Sequence, residues 1–143
     1  MSCNTLKVNC LKEKSDLELI SFSGQKWIGG LPGNQGLRYE IKLVAGKNKL
    51  SFDSLWVNDN LVKVSPFKNN KPAGNVTKGD TIILRAGIKL NKVVAAYNEV
   101  SIKNYHDDVD CNNCAGILSY YDKARKGYLV LDSIHLLPDL SMP

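Results

Sequence analysis

The six residues Arg38-Tyr39-Glu40-Ile41-Lys42-Leu43 carry the clearest structural signal in this sequence. Tyr39, Ile41 and Leu43 alternate with three charged residues, and this period of two is typical of a β-strand. One face of such a strand lies against a hydrophobic core while the other faces water, as in many antiparallel sheets. The stretch therefore predicts a half-buried antiparallel β-strand.

The rest of the chain repeats this signal in short segments. They are separated by turn-forming residues, and amphipathic helices do not alternate with them, which favours a sandwich over a fold of alternating strands and helices. We expect an all-β domain, an immunoglobulin-like antiparallel β-sandwich of about seven strands. The cysteine and tryptophan spacing of true immunoglobulin domains is absent, so the likeness concerns architecture. The further predicted strands span residues 17–22, 50–56, 61–64, 81–85, 100–102, 116–121 and 128–134.

Two connections are predicted in detail near the first strands. Residues 45–48 are expected to form a hairpin turn that leads into a partner strand with Leu50, Phe52 and Trp56 on one face. The glycines between residues 24 and 36 are expected to form a loop that folds Trp27 into the core.

Two more connections are predicted near the end of the chain. The strands at 116–121 and 128–134 are expected to pair as a hairpin across residues 122–127. Residues 136–140 are expected to lie extended along a sheet edge.

Length and composition limit the class of protein. The chain has 143 residues, of which 43% are hydrophobic and 23% charged, which suits one globular domain. Residues 1–16 read as an N-terminal tether and residues 17–143 as the sandwich domain. The net charge is +5, but the basic residues are mostly scattered lysines without interleaved aromatic side chains. A nucleic-acid partner is therefore not expected.

The N-terminus predicts export. Ser2-Cys3 matches the last two positions of a bacterial lipobox, in which a small residue precedes a lipidated cysteine, and a polar stretch follows. We hypothesise that a signal peptide was removed and that Cys3 carries the lipid. The alternative is an ordinary cytosolic start.

Three groups of residues carry a resemblance to a known class of proteins. They are Ser2-Cys3, the strand entry Gly79-Asp80-Thr81-Ile82, and the closing segment from Tyr120-Tyr121 through Gly127-Tyr128-Leu129-Val130 to Leu137-Pro138 and Pro143. In these the chain resembles small exported lipoproteins of Bacteroidetes-type bacteria. The resemblance implies an exported β-sandwich of unassigned role and transfers no catalytic residue.

The motif Cys111-Asn112-Asn113-Cys114 is the sharpest local pattern. In an exported protein it predicts a disulfide between Cys111 and Cys114, with two unreactive thiols as the other structural interpretation. A metal site is the alternative, because His106, Cys111, Cys114 and His135 provide the ligand types that bind zinc or copper. A redox pair is disfavoured, because the neighbouring acidic residues would raise the pKa of the thiol.

Other chemistry finds little support in the sequence. Asp107, Asp108 and Asp110 lack the spacing of an EF-hand and read as a solvated acidic loop. No nucleophile elbow or zinc-protease motif is present. We expect an exported non-enzymatic binding or structural module without a cofactor, in the cell envelope or periplasm. Its partner would be a protein or a glycan, and its membrane association would come from the N-terminal lipid only.

Overall fold

The computed structural model describes residues 16–30, 33–57, 60–89 and 114–141. Within these ranges the chain forms eleven β-strands in two sheets. In chain order they are β1 (Leu17–Ile28), β2 (Gln35–Ala45), β3 (Leu50–Val57), β4 (Asn60–Lys63), β5 (Ser65–Lys68), β6 (Lys71–Pro72), β7 (Thr81–Lys89), β8 (Gly116–Asp122), β9 (Arg125–Leu131), β10 (His135–Leu136) and β11 (Leu140–Ser141). No helix among these residues is long and apolar enough to span a membrane.

The strands divide into a larger mixed sheet and a smaller antiparallel sheet. The larger sheet has the order β10-β1-β2-β7-β5-β6, and β11 also pairs with β1. The smaller sheet has the order β4-β3-β8-β9. The short strands β10 and β11 run parallel to β1, whereas the other pairs are antiparallel. The expected all-β, two-sheet architecture is confirmed, with extra short strands at the edges.

The core lies between the two sheets. Tyr39, Ile41 and Leu43 of β2 are 4%, 1% and 0% exposed, as their alternation predicts. They belong to one buried cluster with Leu118 and Leu129 of the smaller sheet. Burial of such side chains contributes about 1.5–3 kcal/mol each to folding, so this cluster holds the sheets together.

The predicted hairpin at residues 45–48 is wrong. β2 pairs with β1 and β7, whereas β3 pairs with β4 and β8, so this connection crosses from one sheet to the other. Lys49 adopts a left-handed φ of 62° just before β3 begins. Alternation alone predicts the same inward face for both strands, whether they pair side by side or lie in opposite sheets.

Two register shifts interrupt the alternation that a regular strand would show. β1 is irregular between Leu19 and Ser21, which leaves Ile20 49% exposed and turns Phe22 into the core. β3 shifts between Phe52 and Ser54, and Trp56 therefore lies on the opposite face from Leu50. A bulge adds one residue to a strand and inverts the alternation beyond it.

The smaller sheet is apolar on its outer face as well. Trp56, Ile117, Tyr128 and Val130 form a second buried cluster there, and Leu61 and Cys114 pack against it. Cys114 thus lies beside this cluster, at the entry to β8.

The loop in the glycine-rich stretch is shorter than predicted, because β1 continues through Gly24 to Ile28 and β2 begins at Gln35. Trp27 is half-buried on β1 and lies over Gly36, where an added Cβ would meet its ring at 2.6 Å. The placement of Trp27 in the core is therefore wrong.

The two predictions for the end of the chain are confirmed. β8 and β9 form the expected hairpin, and its turn is tighter than predicted, with Lys123 at a φ of 60°. β10 and β11 follow the edge of β1, as expected for residues 136–140.

Candidate functional site

A groove of about 590 Å³ lies on the outer face of the larger sheet. Because the core residues of β2 and β7 point inward, Arg38 and Glu40 of β2 and Arg85 and Gly87 of β7 point outward. These four residues line the groove. Its volume falls within the range of about 300–1,000 Å³ that small-molecule sites occupy.

Strand register places the groove side chains in rows across the sheet. Ser23, Glu40, Arg85 and Ser65 are successive neighbours on β1, β2, β7 and β5. Gln25, Arg38 and Gly87 form the adjoining row. Neighbouring strands lie about 4.8 Å apart, so the first row presents hydroxyl, carboxylate and guanidinium groups at regular spacing.

Three neighbours fix the guanidinium of Arg85. Its Nε lies 3.5 Å from Oε2 of Glu40, and one terminal nitrogen lies 3.5 Å from Oδ1 of Asn70. Its Cζ lies 4.6 Å from the centre of the Phe67 ring, within the range of a cation–π contact. Both charged partners are more than 40% exposed, so the ion pair orients Arg85 more than it stabilises the fold.

Arg38 and Lys63 add two further positive charges that are not paired with a carboxylate among the described residues. Within the described part of the chain, neither side chain makes a hydrogen bond or an ion pair. Arg38 faces Gly87 across the β2–β7 pair. A Cβ added at Gly87 would meet only the carbonyl oxygen of Leu37, at 3.7 Å. The missing side chain therefore keeps the groove open beside an available guanidinium.

The C-terminal strands supply one wall of the groove. The backbone N–H of Leu137 donates to the carbonyl of Gly24 at 2.8 Å, and the side-chain amide of Gln25 donates to the carbonyl of Pro138 at 3.0 Å. Leu137 therefore lines the groove together with Phe67 and Lys63. Leu137 lies beside β1, Phe67 on β5 and Lys63 on β4 of the smaller sheet, so the groove forms only in the folded domain.

A second polar cluster lies at one end of the sandwich. The ammonium of Lys47 binds Asp16 at 3.1 Å and Asp122 at 3.0 Å, and the hydroxyl of Tyr120 donates to Asp16 at 3.0 Å. The hydrogen bond to Asp122, followed by that to Asp16, raises the pKa of Lys47. Asp16 is only 2% exposed, so the last residue of the predicted tether is built into the sandwich.

Two of the residues predicted from sequence as ligands lie in the described ranges. Cys114 is disulfide-bonded, whereas Cys3, His106 and Cys111 lie outside those ranges, so the pairing with Cys111 stays a prediction. A sulfur in a disulfide is not the thiolate that zinc or copper binds, so the two hypotheses for Cys114 exclude one another.

His135 lies exposed on β10, opposite Ser23 of β1. Its neighbours Ile134 and Leu136 line a cavity of about 340 Å³ together with Cys114, but His135 itself does not. Across residues 16–30, 33–57, 60–89 and 114–141, no three His, Cys, Asp or Glu side chains are grouped to hold a metal ion.

Sequence reasoning missed the groove. The outward positions of Arg38 and Glu40 follow from alternation, but the pairing of β2 with β7 joins residues that are 45 positions apart along the chain for Glu40 and Arg85. The chain has only three arginines, and two of them meet on this face. That scarcity was the one available signal.

Comparison with protein-family models, with curated proteins and with solved structures found no match.

Proposed function

We propose that this chain is an exported, non-enzymatic binding module that holds an acidic saccharide in the groove on the outer face of its larger sheet. The observation that carries the proposal is the pair of arginines: Arg38 is available, and Arg85 is held in place over Phe67. A guanidinium binds a carboxylate through two parallel hydrogen bonds, and a fixed guanidinium loses less entropy on binding.

The strand order supports an immunoglobulin-like connectivity for the module. The order β1-β2-β7-β5 corresponds to strands A, B, E and D, and the order β4-β3-β8-β9 corresponds to C′, C, F and G. Two features depart from that pattern. Trp56, on the strand that corresponds to C, belongs to the outer cluster, and β2 and β8 carry no cysteine pair.

Charge in the groove favours an anionic ligand. The residues that line the groove include three cationic side chains, Arg38, Lys63 and Arg85, and one carboxylate, that of Glu40. The wall residues Phe67 and Leu137 reduce the access of water to these charges, and lower local polarity strengthens electrostatic attraction.

The other polar side chains of the groove distinguish a saccharide from other anions. The carboxylate of Glu40 accepts hydrogen bonds from hydroxyl groups, and Ser23, Gln25 and Ser65 both donate and accept. A sugar acid offers one carboxylate and several hydroxyls for each unit. An acidic peptide or a nucleic acid offers few hydroxyl donors and would place its negative groups against Glu40.

Export and tethering remain part of the proposal. A lipid on Cys3 would place the domain in the cell envelope or periplasm, where polysaccharides are available as ligands. The disulfide at Cys114 supports this compartment, because disulfides persist in oxidising surroundings.

Calorimetric titration tests the proposal. The full chain is titrated with an oligogalacturonate and, as a matched neutral ligand, with a maltooligosaccharide of the same length. We expect binding of the acidic chain only, a loss of about tenfold or more in affinity for Arg38→Gln, and a similar loss for Gly87→Thr, which fills the groove. Arg125→Gln, at the far hairpin turn, is the control and should bind like the unmodified chain.

Three outcomes would contradict the proposal. Equal binding of both saccharides would show that the arginines do not select charge. Unchanged affinity in both groove variants would place the site elsewhere. Shortening of the oligogalacturonate during the titration, measured by mass spectrometry, would show an enzyme instead of a binding module.

A further inference from the structure

Five exposed cationic side chains gather at the end of the sandwich where β1 begins. This surface, called the loop end here, consists of residues 46–49, 76–80 and 122–126, which connect or begin strands at that end. Its exposed cations are Lys49, Lys78, Lys123, Arg125 and Lys126.

The carboxylates at the loop end are used internally. Asp122 is bound by Lys47, and Asp80 is bound by Lys68 at 2.9 Å and by the backbone N–H of Thr77 at 2.9 Å. In the described part of the chain, by contrast, Lys49, Lys78, Lys123 and Arg125 form no ion pair. The carboxylates are therefore paired with groups of the protein itself, whereas these four cationic side chains are exposed to solvent.

The N-terminal segment joins the domain at this same end. The backbone N–H of Gly46 donates to the carbonyl of Asp16 at 2.7 Å, and the Asp16 carboxylate binds Lys47. Residues 1–15 precede this fixed point and contain three lysines and one glutamate. An anchor within that segment would therefore draw the loop end, and not the groove, toward the anchoring surface.

We propose that the loop end is a membrane-facing surface that binds the headgroups of anionic phospholipids. Each lysine or arginine near an anionic membrane adds to the electrostatic attraction, which decays within about 10 Å at moderate ionic strength. The inference goes beyond the proposed saccharide site and uses the tether only for orientation. It adds a protein contact to the lipid that the sequence predicts at Cys3.

The test uses the full chain with Cys3→Ser, so that no lipid contributes to binding. Cosedimentation is measured with vesicles of phosphatidylcholine alone and with vesicles that also contain phosphatidylglycerol. We expect binding to the second kind only, weakened by added salt. The variant Lys78→Gln, Lys123→Asn, Arg125→Gln should lose about tenfold or more in partitioning, whereas a control with the same charge change on the sheets, Lys26→Gln, Lys42→Gln, Lys89→Gln, should stay within about twofold. Asn is used at position 123 because it tolerates the positive φ there.

Three results would overturn the proposal. They are equal binding to both kinds of vesicle, equal losses in the two triple variants, and retention by a short DNA duplex that competes fully with the vesicles. The last would show a general polyanion surface. Since no residue that lines the groove is changed in either triple variant, a failure here leaves the saccharide titration unaffected.

Discussion

The hydroxyl of Tyr120 donates a hydrogen bond of 3.0 Å to the buried carboxylate of Asp16, joining residues 104 positions apart. Tyr120 lies on β8 of the smaller sheet, and Asp16 precedes β1 of the larger one. With Lys47, this contact fixes the start of β1 against the opposite sheet. The end of the sandwich that receives the N-terminal segment is therefore rigidly placed.

Replacing Tyr120 by Phe removes this hydrogen bond to a buried carboxylate. Hydrogen bonds to charged groups contribute about 1.5–3 kcal/mol, so we expect the free energy of unfolding to fall by about that amount. Urea denaturation followed by circular dichroism measures it. Tyr121→Phe, on the other face of the same strand, is the control, and an equal loss there would contradict the role of Asp16.

Ser119 supports the bulge in β3. Its side chain is 0% exposed, and its oxygen accepts the backbone N–H of Ser54 at 3.2 Å, beside the register shift between Phe52 and Ser54. Ser119→Ala leaves that N–H without a partner, so we expect a loss of about 1–3 kcal/mol in unfolding free energy. Hydrogen exchange should show faster exchange at the Ser54 amide than in the unmodified chain. Unchanged exchange there would mean that water replaces the hydroxyl.

Asp80 gives the stability a defined pH dependence. The hydrogen bond from Lys68, and then that from the Thr77 N–H, lowers the pKa of this carboxyl. A pKa that is lower in the folded state stabilises the fold above the unfolded value of about 3.9, and the contribution disappears as pH falls through the folded pKa. Asp80→Asn should therefore be less stable than the unmodified chain at pH 6, with a difference that shrinks below about pH 4.

Urea midpoints measured from pH 6 to pH 2.5 test this dependence. Asp139→Asn is the control, because Asp139 is exposed on the C-terminal segment. A stability difference for Asp80→Asn that stays constant over the whole range would contradict the assignment.

The size of the stability loss on reduction identifies the disulfide partner of Cys114. A disulfide between Cys111 and Cys114 closes a short loop in the unfolded chain and stabilises the fold by about 2 kcal/mol. A disulfide from Cys114 to Cys3 or Cys10 closes a much longer loop and would stabilise the fold by about 5 kcal/mol. Pairing with Cys111 predicts the smaller loss when the chain is unfolded with and without a reductant. Cys111→Ser should then abolish the effect of the reductant, and a persistent effect would assign the bond to another cysteine.

Alternation predicts the β2 strand and its inward face from sequence, because Tyr39, Ile41 and Leu43 are apolar and lie on the same face of the strand. It does not predict which strand pairs with which. The connection after Ala45 crosses between sheets, and the bulges near Ile20 and Phe52 invert faces that local periodicity treats as continuous. These features depend on contacts such as Ser119 with Ser54, which are distant in sequence.

The same limit applies to the candidate sites. The cysteine motif is visible as a local pattern, whereas the groove depends on the pairing of β2 with β7 and of β1 with the C-terminal strands. Gly87 is uninformative in sequence, and only its position opposite Arg38 gives it a role. Ligand sites built from several strands therefore stay hidden until the pairing is known.

Amide chemical shifts of the isotope-labelled domain, followed during titration with oligogalacturonate, test the central claim most directly. We predict that the shifts concentrate at Ser23, Arg38, Glu40, Arg85 and Gly87, and that they vanish in Gly87→Thr while the rest of the spectrum is retained. Shifts confined to the loop end, or to the cavity beside Cys114, would contradict the assignment of the groove as the binding site.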